Sequence, residues 1–193
     1  VVDDRQIPGQ FILTGSNAVD KSQIHHSGVG RIARLRMLPM SLWESQESTG
    51  EVSLKELFNN PDYDIDGKMS KMTVEELIFA ASRGGWPASL LARTPKAQLL
   101  VAKNYVQTIC SNDISSIDGK KRDARLTSMI LRAYARNVST LVKKKSLLDD
   151  VTSSGEVSCH VDTFDDYVSA LEKLFVIQNV SAWCPAIRSK TAI

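Results

Sequence analysis

The sequence predicts a mainly helical chain with minor strands, an α+β class, and three observations carry that expectation. Two short strand-like runs stand near the start, at residues 11–13 and 31–38. A middle stretch carries helix start and stop signals in close succession. The last third holds three helical patterns followed by a β-prone run, the order of a winged helix-turn-helix. Length and composition agree: 193 residues, 42% hydrophobic and 24% charged, are near the averages of globular proteins, so a packed core is expected.

Phe11-Ile12-Leu13 is apolar and closed by Thr14-Gly15-Ser16-Asn17, which suits a strand buried on both faces. Ile7-Pro8-Gly9 reads as a turn before it. A polar loop over residues 20–30 follows. Residues 31–38 then alternate Arg31, Arg34 and Arg36 with Ile32, Leu35 and Met37, the period of a half-exposed strand, and Pro39 ends it. Two strands joined by one loop cannot make a stable sheet, so this opening needs neighbours.

Helical signals begin at Ser53, ahead of Leu54 and Leu57. A stronger one begins at Thr73, with Glu76 at the capping-box position and Gly84 as the stop. Gly84-Gly85-Trp86-Pro87 is a turn whose indole is expected to plug a core. Thr94-Pro95 opens a helix expected to run to about Ile109, with proline at the favoured first position.

In the last third, Leu126, Ile130, Leu131 and Tyr134 recur at helical spacing. Ser139 or Thr140 is the expected cap of a second helix holding Leu141, Leu147 and Leu148. Asp162 or Thr163 is the expected cap of a third, with the stripe Phe164, Tyr167, Val168, Leu171 and Leu174. Residues 176–183 are β-prone. Trp43, Trp86, Trp183, Phe175 and Met37 are most simply packing residues.

The net charge of +2 names no partner, but its distribution is uneven. Residues 118–150 hold nine bases against four acids. Such a run is most often a solvated face. Its two clusters, Lys120, Lys121, Arg122 and Lys143, Lys144, Lys145, are the candidates for touching a DNA backbone. Acids on the third helix, Asp162, Asp165, Asp166 and Glu172, would repel phosphates and weaken DNA reading there.

Cys110, Cys159 and Cys184 form no C-x-x-C pair, and with His25, His26 and His160 no structural zinc spacing can be written. Unpaired thiols fit a reducing, cytoplasmic setting. No apolar stretch approaches a membrane span, and the acidic start lacks a signal peptide's basic region. The missing initiator methionine and the absence of a closing signal suggest that both ends are cut from a longer chain. No phosphate loop of the G-x-x-x-x-G-K-[ST] type, nucleophile elbow or H-E-x-x-H is present.

The motifs GQFILTGSNA (9–18), HSGVGR (26–31), RLRMLPMSLWES (34–45), GGWP (84–87), SNDIS (111–115) and LRAYARN (131–137), with DYVSALEKLFVIQNVSAWCPAIRSK after them, closely resemble a group of predicted bacterial ATPases of the AAA superfamily. Each motif is weak; their order over nearly the whole chain is specific. In that group a P-loop core precedes a C-terminal domain of uncharacterised function. The resemblance implies a remnant of the P-loop α/β core at residues 1–45, a helical module at 46–118 and a truncated winged-helix-like unit at 119–193. It makes Thr14, Ser16 and Asn17 the γ-phosphate sensor candidates and Arg31 a candidate arginine finger.

The phosphate loop and magnesium-binding acid of such ATPases would lie upstream of Val1. ATP and magnesium are therefore expected cofactors of the intact parent, none is expected for this fragment, and the missing core is its expected partner. Three functions follow: a sensor and coupling fragment that does not hydrolyse ATP by itself, a DNA-binding or nuclease-linked effector, and a protein-interaction adaptor.

Overall fold

A computed structural model describes residues 7, 9–15, 32–153, 155 and 157–180. The chain divides into two compact units, Ile32–Thr108 and Val1–Arg31 with Ile109–Ile193.

In the first unit, Ser53 caps α1 (Leu54–Asn59) by accepting the Glu56 N–H. Thr73 and Glu76 form the expected reciprocal capping box of α2 (Val74–Arg83). Gly84 ends α2 with φ +76°, a conformation that favours glycine. Trp86 and Pro87 then open α3 (Pro87–Leu90). Thr94 Oγ1 accepts the Ala97 N–H ahead of α4 (Pro95–Thr108). Both α2 and α3 pack on α4. Ser89 is fully buried, its hydroxyl 3.1 Å and 3.0 Å from the carbonyl oxygens of Arg83 and Gln98, so one small side chain ties three segments together.

The second unit holds the larger core. A π-helical turn (Ile109–Asp113) and the short α5 (Ile114–Ser116) place Ile109 and Ile114 inside. They meet Leu126, Ile130 and Ala133 of α6 (Ala124–Arg136), Leu147 and Val151 of α7 (Lys144–Thr152), and Phe164, Tyr167 and Leu171 of α8 (Val161–Lys173). The stripes expected on α6 and α8 are the ones that fill this core. Burying side chains such as Phe164 and Leu171 contributes roughly 1.5–3 kcal/mol each.

The mainly helical expectation holds. The minor strands do not: no strand is present among the described residues. Residues 11–15 and 32–38 are neither helix nor strand, and Ile12, Leu13, Leu35 and Met37 are almost fully exposed. The reason is pairing, since a β-period pattern becomes a strand only when a neighbour takes its backbone groups. Residues 176–180 also form no strand. Phe175, at φ +59°, ends α8 in a left-handed turn, with Val176 N–H on the Leu171 carbonyl and Phe175 N–H on that of Glu172. That turn carries Ile177 into the core. The remainder of the expected run, residues 181–183, lies outside the described residues.

Two caps are also corrected. Helix α7 starts after Lys143 and α8 after His160, neither with a side-chain cap. Thr140 instead bonds the Asn137 carbonyl in the preceding turn, and Leu141 stands free in solvent. Of the expected packing residues, Trp86 is half-buried on Tyr105, with ring centroids 4.7 Å apart. Trp43, Met37 and Phe175 are exposed, and Trp183 lies outside the described residues.

Candidate functional site

Arg122 is the most constrained charge of the second unit. Its side chain is 2% exposed, and every guanidinium nitrogen is engaged. Nη1 and Nη2 donate to Asp118 Oδ1 and Oδ2 at 2.8 Å each, Nη1 also donates to the Ile114 carbonyl at 2.7 Å, and Nε donates to Asp166 Oδ2 at 3.0 Å. Lys120 takes the other oxygen of Asp166 at 2.7 Å. These hydrogen bonds to Arg122 hold the Asp118 carboxyl at about 2, well below its ordinary value. Lys120 first, and Arg122 with it, push Asp166 down as well. The backbone joins in: Ser115 Oγ accepts the Arg122 N–H at 3.0 Å and Tyr167 Oη accepts that of Asp123 at 2.7 Å. The cluster clamps the α5–α6 loop onto α8.

This geometry removes Arg122 from the residues that could touch DNA, because a buried guanidinium with its donors filled has none left for a phosphate. Lys120 is bound to Asp166, and Lys144 to Asp165 at 2.9 Å. Lys121, Lys143 and Lys145 are exposed. Pairing also cancels part of the expected positive run, since Arg136 grips Asp150 with both carboxylate oxygens. The acids of α8 expected to repel phosphate are thus partly neutralised by the bases expected to attract it. Spacing could have signalled this, since Asp118 and Arg122 stand at i, i+4.

Of the nucleotide-side candidates, Thr14 is exposed, while Ser16, Asn17 and Arg31 lie outside the described residues. Among the described residues, no group of three or more His, Cys, Asp or Glu side chains is placed to hold a metal ion.

The first unit presents a different surface. Arg83 is buried and forks onto Glu47, with Nη1 3.1 Å from Oε1 and Nη2 2.7 Å from Oε2. Arg83 and a hydrogen bond from Ser45 hold the Glu47 carboxyl below its ordinary value. Beside this pair a hollow of about 470 Å³ is lined by Glu47, Lys71, Met72, Glu75, Glu76 and Phe79. On the other side of α2, Val74, Leu77 and Ile78 are 68%, 49% and 61% exposed. Sequence reading treated α2 as an ordinary packed helix and missed this outward stripe, although positions i, i+3 and i+4 carry it.

Residues 74–193 match the model of a family described as a domain of unknown function (DUF8612). The chain belongs to this family. The DUF8612 match begins at the first residue of α2 and takes in every later helix described above. No curated protein and no solved structure matches the chain. No helix among the described residues is long and apolar enough to cross a membrane.

Proposed function

We propose that the chain is the sensor-side and coupling portion of an AAA-type ATPase, with a DUF8612 domain that transmits and does not itself hydrolyse ATP. One observation carries the reading: residues 11–13 and 32–38 hold apolar side chains with nothing over them, in runs that have strand composition. An apolar run of that kind is satisfied by joining a sheet, and a P-loop core would supply one. The ordered motifs shared with the AAA group support the same assignment, including Thr14, Ser16, Asn17 and Arg31 as nucleotide-side residues. The test is a calorimetric titration of Mg-ATP into the 193-residue chain. The expected result is no saturable binding, and saturation in the micromolar range overturns the reading.

A second reading, a protein-interaction adaptor, is favoured over a DNA-binding effector by the ion pairs of Arg122, Lys120 and Lys144. The winged-helix description of α6–α8 rests on helix order, with no strand after α8 through Val180.

A further inference from the structure

Helix α2 has two sides of opposite fate. Ala80 and Arg83, each 6% exposed, face inward, and α2 packs on α4. At 100° per residue, Val74, Leu77, Ile78 and Ala81 fall on the outward side. All four are exposed, three of them large and apolar. The helix is well built at both ends by its capping box and Gly84, so the stripe sits on a rigid element. A stable helix that turns Leu and Ile to solvent gains nothing from them in the isolated chain.

Charge states what would cover it. The exposed charges of α2 are both acidic, Glu75 and Glu76. Across residues 41–76 there are nine acids against three lysines, and with Glu47 committed to Arg83 eight acids remain. One of those lysines, Lys68, is held by the Glu51 carbonyl at 2.9 Å and lies over the Tyr63 ring. A second copy would bring the same acidic stripe and be repelled. Nucleic acid and anionic lipid would be repelled for the same reason.

We propose that the outward face of α2 docks a basic amphipathic helix of another protein, whose apolar stripe covers Val74, Leu77 and Ile78 while its lysines or arginines meet Glu75 and its acidic neighbours. Helix-on-helix anchoring at i, i+3 and i+4 is an established recognition mode, and the complementary charges add rate and specificity. The inference does not depend on the ATPase reading.

The experiment uses the full chain and a labelled peptide of about 18 residues with leucine and lysine at helical spacing, followed by fluorescence anisotropy. Saturable binding is expected. It should weaken about tenfold or more in Leu77→Ser/Ile78→Ser and in Glu75→Lys, and fall steeply by about 0.5 M salt. These residues are exposed, so unchanged circular dichroism melting should show that both variants fold. Equal binding by a scrambled peptide of the same composition, equal affinity in the variants, or no saturation overturns the proposal. So does sedimentation showing self-association that Leu77→Ser/Ile78→Ser abolishes, since the occupant would then be a second copy.

Discussion

Arg122 and Asp118 form a two-pronged pair, Nη1 to Oδ1 and Nη2 to Oδ2 at 2.8 Å each, on a guanidinium that is almost entirely out of solvent. Replacing Arg122 with Met leaves Asp118 and Asp166 without their shared cation and frees the Ile114 carbonyl of a donor. We expect a loss of about 3 kcal/mol, read by urea denaturation. Arg136→Met breaks a more exposed fork on Asp150 and should cost no more than about 1 kcal/mol. Equal effects would show that burial does not set the strength of these pairs.

Acid should loosen the same cluster. Asp118 titrates near 2 in the folded chain against an ordinary value of 3.8, and Asp166 is lowered too. A depressed carboxyl contributes stability that is complete above its unfolded value and is lost as pH falls through the folded one. Thermal melting should therefore hold steady down to about pH 4 and decline steeply toward pH 2. Asp118→Asn should be less stable at neutral pH and show a shallower decline, because one of the protons taken up on unfolding is gone.

Gly85 offers a test in the other unit. Its carbonyl accepts the Met40 N–H at 2.7 Å, and a Cβ added there would lie 2.2 Å from the Met40 carbonyl oxygen. Backbone cannot move aside as a side-chain tip can. Gly85→Ala should cost about 1–3 kcal/mol and speed proteolysis around residues 40–50. Gly67, with a positive φ but open space around it, should lose only about 1–2 kcal/mol on the same change, measured by chemical denaturation.

Two phenylalanines should differ sharply. Phe164 is 1% exposed at the centre of the α6–α8 core, and Phe58 is 84% exposed on α1. Phe164→Ala should destabilise by about 4 kcal/mol and Phe58→Ala by less than about 0.5 kcal/mol, compared by urea midpoints.

Much of the helical half was legible because its signals are local. Thr73 with Glu76, Gly84, Pro95 and the Phe164–Leu171 stripe each declare themselves within a few residues, and the structure places them as written. The site was less legible. Arg122 reads as one more base in a positive run until Asp166, 44 positions away, is brought to it.

What the sequence determined by itself was where helices start, where most of them stop and which stripes are greasy, because capping and periodicity act within one or two turns. Tertiary structure alone decided which charges cancel and which apolar faces stay open. Those outcomes depend on which distant segment arrives. Residues 32–38 have strand composition yet form no strand, and Leu77 and Ile78 belong to a well-made helix yet lie in solvent, for the same reason: neither pattern carries its own partner.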